Sequence, residues 1–253
     1  MTDTYRERRA SGLDATLWTR TTDGSTRWVL PDGCLDVLWD GRELAVAGPD
    51  TGPFRNLVPA GTSYVALRFD SGVGPAVLHV PADAVRDQRV ALVDLLPRPD
   101  VDRLTDEVVE AGDPTDAAAA LERWAVRRLG EGPGPDATLR RVADLLDEGL
   151  RVADAADAVG LGERQLHRRS LAAFGYGPKV LARIRRLQRA LAIARGGTAF
   201  ARTAAEAGYA DQAHLAREVR ALAGRPLGEL VDPGPEPELG PDPDPGSEVE
   251  PGA

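Results

Sequence analysis

Two stretches of this chain gather side chains that hydrogen-bond to planar or anionic partners. The first is Glu163-Arg164-Gln165-Leu166-His167-Arg168, and the second is Asp211-Gln212-Ala213-His214-Leu215-Ala216-Arg217. A guanidinium fork grips two acceptors at once, and a carboxamide bridges a donor–acceptor pair. In each stretch an Arg follows the Leu by two positions and a Gly follows it by nine, at Gly175 and Gly224. Arg164, Arg168 and Arg217 are the foremost candidates for contact with an anionic or base-like partner, with Gln212 next. His167 and His214 are weaker, since capping or plain surface exposure explains an isolated histidine as well.

Spacing dictates how such groups are held. Upstream of each stretch stands a matching segment, Ala156-Asp157-Ala158-Val159-Gly160-Leu161 and Ala204-Ala205-Glu206-Ala207-Gly208-Tyr209. A small residue lets two helices approach, and a Gly four positions later suits a left-handed turn. An apolar residue then plugs the angle, and Glu163 or Asp211 opens the next helix where the dipole favours a carboxylate. The glycines repeat at an offset of 48 and the leucines at 49, so the second copy has one extra turn residue. Helix, tight turn, helix, twice over, is the arrangement that offers a second helix to a DNA major groove. Between the copies, Pro178–Arg195 places Leu181, Ile184, Leu187, Leu191 and Ala194 at helical spacing. At ~1.5 Å per residue this single helix spans ~27 Å, near the ~34 Å between successive major-groove faces. Lys179, Arg183, Arg186 and Arg189 on it suit phosphate positioning or pairing within the helix.

Charge agrees with that reading once it is divided along the chain. The 253 residues carry a net −9, yet residues 136–231 hold 16 basic against 11 acidic residues, a net +5. Residues 1–135 hold 15 against 22, and residues 232–253 hold none against 7. The basic block is where an anionic partner belongs.

The stretch AADAVGLGERQLHRRSLAAFGYGPKVLARIRRLQRAL with AAEAGYADQAHLAREVRALAGRP resembles the AraC/XylS-type DNA-binding domain over roughly residues 136–230. TRWVLPDGCLDVLWDG, AVAGPDTGP and the YVALRF strand resemble, more loosely, the effector-type domain preceding that module in some actinobacterial AraC-like regulators. The resemblance implies a one-component transcription regulator; a cytoplasmic location is expected from the single cysteine and the lack of an apolar span or secretory signal, and no cofactor is expected. The resemblance further implies promoter DNA, a second copy of the chain, a small-molecule effector and RNA polymerase as partners, with no membrane. It places Arg164, His167, Arg168, Gln212, His214 and Arg217 on the recognition helices. Two positions depart from the family. Ser170 and Val219 stand where it usually buries a Phe, with Leu171, Phe174 or Leu222 available to fill the space. Leu227-Gly228-Glu229-Leu230 replaces its usual Tyr-Arg ending.

The expected fold is α+β. Short runs at Ala15–Arg20, Arg27–Leu30, Cys34–Trp39, Leu44–Ala47 and Tyr64–Phe69, divided by Gly and Pro turns, suggest a small antiparallel barrel or sandwich. Residues 82–130 read as helical, and Gly130–Pro135 breaks the pattern. The domains expected are therefore 1–130 for effector binding and dimerisation, 131–135 as linker, 136–231 as the all-α double helix-turn-helix, and 232–253 as a disordered acidic, Pro-rich tail.

Other chemistries find less support. One cysteine, Cys34, excludes an intramolecular disulfide framework, and a single histidine, His79, in residues 1–135 disfavours a metal oxidase or isomerase. No apolar run approaches the ~18 residues that span a bilayer, and the first 15 residues lack the apolar core of a secretory signal. Three alternatives stay open: an N-terminal domain that only dimerises, one that senses through Cys34, and an enzyme carrying a borrowed helix-turn-helix. Asp32 and Asp36 flanking a pocket, with Trp18, Trp28, Trp39 or Tyr64 lining it, would serve an effector.

Overall fold

The computed structural model describes residues 3–232. Eight strands form its β part: β1 (Thr4–Arg9), β2 (Ala15–Thr21), β3 (Arg27–Val29), β4 (Leu35–Trp39), β5 (Leu44–Ala47), β6 (Phe54–Asn56), β7 (Ser63–Phe69) and β8 (Arg89–Ala91). Six pair antiparallel in the order β1-β2-β7-β4-β5-β8, while β3 and β6 make a separate two-stranded ribbon. The α+β class holds, and the expected barrel or sandwich takes the form of this sheet and ribbon. Register aligns Leu17, Leu67, Val37 and Val46 in one row across four strands. All four are buried, because period-2 alternation sends one side of every strand to the same face. That face is covered by α1 (Gly74–Leu78), α2 (Arg98–Glu110) and α3 (Pro114–Gly130), through Leu78, Leu104, Val108, Leu121 and Trp124.

Three strands escape the sequence pattern. The run of β1, TYRERR, is exposed at every position and has no apolar alternation to reveal it. Its partner β2 supplies the order, since an edge strand needs only a neighbour's backbone groups. Strands β6 and β8 have three residues each, too few to show a period. The helical expectation for 82–130 holds only from Arg98 onward. Pro81 and Pro97 bracket a segment of two single-turn 3₁₀ helices, Ala82–Ala84 and Leu92–Asp94, around β8. Proline lacks the N–H that a continuing helix requires.

Seven helices follow among the described residues: α4 (Ala137–Asp147), α5 (Val152–Ala158), α6 (Glu163–Phe174), α7 (Pro178–Arg195), α8 (Phe200–Ala207), α9 (Gln212–Ala223) and α10 (Leu227–Val231). The span expected for α7 is the span observed. Asp136 caps α4 by accepting from the amides of Thr138 and Leu139 and receives the Arg169 guanidinium, which holds its carboxyl below the usual range against the opposing effect of burial. The helical half has two cores, with α7 as their common spine. Leu181 and Ile184 close the first with Leu139, Leu166 and Phe174. Leu187, Leu191 and Ala194 close the second with Ala204, Leu215 and Val219. Residues 233–253, most of the expected tail, lie outside the described residues.

Candidate nucleic-acid interface

Each reading unit is a helix pair joined by a turn with identical hydrogen bonding. In the first, Gly160 (φ 68°) follows α5 and the Leu161 amide donates to the Ala156 carbonyl at 3.0 Å. In the second, Gly208 (φ 82°) follows α8 and the Tyr209 amide donates to the Ala204 carbonyl at 2.8 Å. A left-handed residue at this point costs an L side chain ~1–2 kcal/mol, which explains the paired glycines. Ala156, Ala204, Leu166 and Leu215 are all buried, so each turn is locked to its second helix by the residues the repeat duplicates.

Burying those residues leaves the opposite side of α6 and α9 outside. Arg164, His167 and Arg168 are exposed on α6, and Gln212, Arg217 and Arg220 on α9. Arg164, Arg168, Arg217 and Arg220 make no hydrogen bond or ion pair with any described residue, which sets them apart. Most other arginines of the helical half are engaged. Arg169 binds Asp136, Arg183 binds Glu218, Arg185 binds Asp147, and Arg202 binds Glu206. Among residues 136–231 the cations with no described partner are these four together with Lys179 and Arg195, so the unpaired charge is concentrated on the two helices that the repeat presents. Arg220 is a residue that the sequence argument passed over; its i+3 spacing from Arg217 was the available signal.

The remaining candidates are more committed. The His214 ring packs edge-on against Tyr209 at 5.3 Å and its Nδ1 accepts the Ala210 amide at 3.3 Å, so this side chain helps to close its turn. Its own amide donates to the capping Asp211 at 2.6 Å. The His167 ring lies against Gly177, where a Cβ would come within 2.6 Å of it. Lys179 is exposed in the first turn of α7. The other cations of α7 serve a purpose the sequence did not disclose. Arg183 reaches Glu218 of α9, Arg186 stacks over Tyr209 at 5.4 Å, and Arg189 donates to the carbonyls of Leu146, Asp147 and Ala207. Because α7 is packed on several sides, Arg183, Arg186 and Arg189 join it to its neighbours instead of pairing along one helix or lying free for phosphate, while Arg195 at its last position meets no described partner.

On the sheet's other face, opposite the helices, Trp18 Nε1 donates to Asp36 at 2.7 Å, and Arg68 stacks on Trp18 at 5.8 Å with its Nε 3.4 Å from Asp36 and 3.5 Å from Asp32. Burial pushes the Asp36 carboxyl up to about 6, and the Asp32 charge adds to the rise that Arg68 and Trp18 oppose. A folded pKa above the unfolded value of 3.8 means the folded state binds more protons between pH 4 and 6. Stability from this group is therefore full at low pH and is lost as pH rises through 6. Asp36→Asn removes that dependence. Relative to the variant, the native chain should lose about 2 kcal/mol between pH 4 and 7, the greater part of roughly two pKa units at 1.36 kcal/mol each. Denaturant titrations of both proteins across that range check it, and parallel curves would contradict the burial argument. Burial likewise raises the Cys34 thiol, with Asp32 and Asp36 adding to the effect. A protonated thiol is a poor nucleophile, which weakens the alternative that senses through Cys34. Separately, a cleft of about 400 Å³ opens beside β1 and the start of α3, lined among others by Arg6, Thr19, Thr21, Ser63 and Thr115.

A family model described as a helix-turn-helix domain matches residues 155–232, and one described as a domain of unknown function (DUF6597) matches residues 15–91. A search of curated proteins gave no match. Among solved structures the chain is similar to ToxT from Vibrio cholerae O395, with 10% identity, a TM-score of 0.44, and coverage of 90% of this chain and 96% of that one. It is similar also to unsaturated fatty acid bound wild-type ToxT from Vibrio cholerae strain SCE256, with 11% identity, a TM-score of 0.42, and 91% of each chain covered. No helix among the described residues is long and apolar enough to cross a membrane. The chain thus carries an AraC-type helix-turn-helix domain behind an N-terminal domain of the DUF6597 family, the make-up of a DNA-binding transcription regulator.

Proposed function

We propose that the chain is a cytoplasmic, sequence-specific regulator that reads a promoter through α6 and α9 and is modulated by a small molecule bound to residues 1–130. The observation that carries this reading is the concentration of unpaired cations on the two repeated helices, within a half whose other arginines are mostly engaged. Arg168 and Arg217 hold equivalent positions, two after the buried Leu of each copy, and suit bidentate contact with guanine. Gln212 suits adenine, Arg164 a base or phosphate, and Lys179, His167 and His214 the backbone. The cleft beside β1 and the Trp18–Asp36–Arg68 cluster are the two places in the N-terminal half that suit an effector. Dimerisation through the helices of residues 101–130, and contact with RNA polymerase, complete the proposal.

Genomic footprinting of the bound sites identifies the duplex, and affinity for that duplex should then fall steeply with salt. Each phosphate neutralised by an arginine or lysine adds about −0.9 to the slope of log K against log salt. A slope near zero, or no enriched site in the genome, would count against the reading.

A further inference from the structure

The segment Gly48-Pro49-Asp50-Thr51-Gly52-Pro53 follows β5 in the N-terminal half, yet its two prolines each abut the helical half. Pro49 lies against Gly175, the left-handed residue (φ 82°) that ends α6, and a Cβ on that glycine would come within 2.6 Å of the proline Cγ. Pro53 lies against Gly224, the left-handed residue (φ 69°) that ends α9, where a Cβ would come within 3.3 Å of its Cγ. These glycines are equivalent positions of the repeat, each nine residues after the buried Leu. A neighbour reinforces each contact. Arg86 Nη1 donates to the Gly175 carbonyl at 2.9 Å, and the Arg225 guanidinium lies 5.3 Å from the Trp28 ring.

The segment is itself held. Asp87 accepts from the Thr51 amide at 2.6 Å and from its hydroxyl at 3.0 Å, and the Asp87 amide donates to the Pro49 carbonyl at 3.2 Å. Arg89 grips Asp50 with two hydrogen bonds, at 2.9 and 2.7 Å. At Gly48 the Val85 carbonyl is so close that a Cβ would fall 1.6 Å from it. Three residues separate the prolines, so at most about 15 Å of chain links them. One short, pinned segment therefore touches the trailing end of both recognition helices and leaves their leading ends outward.

We propose that Gly48–Pro53 is a positioning element. It fixes the separation and relative tilt of α6 and α9, and so determines which spacing between two recognised base steps the protein accepts. The proposal rests on the reading that α6 and α9 contact DNA, and it goes beyond it by assigning spacing specificity to residues that touch no DNA. Changes in the N-terminal domain reach both reading helices through this segment.

The test uses the full chain, a Pro49→Ala/Pro53→Ala variant, and a second variant with two glycines inserted after Thr51. Each is offered a duplex library in which two selected half-elements are separated by every spacing from a half to two turns. The native chain should recover one spacing. The variants should recover several, with affinity for their best duplex within about threefold of native, a split that a general loss of fold would not give. Spin labels at exposed positions 172 and 221, in a Cys34→Ser background, should give a narrow distance in the native chain and one at least twice as broad in the variants. If the insertion variant melts cooperatively and keeps the single spacing and narrow distance, the proposal is overturned, whatever becomes of the proline variant. If no protein selects any duplex, the DNA reading fails, while the label distances still decide whether the segment positions the helices.

Discussion

Replacing Arg168 and Arg217 together by Ala should weaken binding to the cognate duplex by about 30-fold to 10⁴-fold. Each arginine removed from a base edge costs roughly 1–3 kcal/mol. The two stand in separate helix pairs with separate cores, so their effects should add, giving roughly 2–6 kcal/mol. Both side chains are exposed and bind no described residue, hence the melting temperature should stay within a degree or two of native. That separation of affinity from stability is what distinguishes a reading residue from a structural one. The control is Arg202→Ala, equally exposed but paired with Glu206 four residues on. It should change affinity less than threefold, since an exposed pair of this kind contributes little to anything. Anisotropy titrations at one fixed salt concentration measure all three proteins. The double variant should also relax base preference at two positions one helical turn apart, whereas loss of a phosphate contact lowers affinity evenly across sequences. A drop below threefold would remove these two arginines from the interface.

What was legible in the sequence was what local rules control. The ends of α7, the left-handed turns at Gly160 and Gly208, and the capping Asp211 all follow from spacing within a dozen residues. The strands visible beforehand were those with buried alternation, such as Ser63–Phe69. Strand β1 was invisible because its order comes from β2 and not from its own residues. The roles of Arg183, Arg186 and Arg189 were likewise out of reach. Their sequence positions put them on one helix, and only the packing of α4, α8 and α9 around it shows what each guanidinium meets. The docking of the two halves lay furthest from view. Nothing about Gly48–Pro53 as a string indicates that its prolines meet two glycines more than 120 residues away. Recognition chemistry was therefore readable from the repeat, while the frame that aims it was not.

The first reading unit depends on one ring. Ser170 stands where the family usually buries a Phe; it is fully buried and its hydroxyl meets no described partner. The missing volume is restored one turn later by Phe174, 2% exposed, at the last residue of α6 and in the core with Leu139, Leu166, Tyr176 and Leu181. The same ring meets the N-terminal half, where a Cβ on Gly72 would come within 3.2 Å of it. Phe174→Ala should therefore cost about 3–5 kcal/mol, the transfer loss plus a cavity between elements too well held to collapse. At roughly 2–4 °C per kcal/mol for a chain of this size, the melting temperature falls by about 6–20 °C. The loss falls on the unit that carries Arg164 and Arg168, so DNA affinity should decline with temperature earlier than in the native chain, tracking the melting of α6. Ser170→Ala predicts the reverse. Removing a buried hydroxyl that lacks a partner should leave stability unchanged or raise it by about 1 kcal/mol. Thermal melts of the two variants, four residues apart on one helix, decide the matter: if both destabilise alike, Phe174 is not the residue that replaces the absent ring, and the first core closes in some other way.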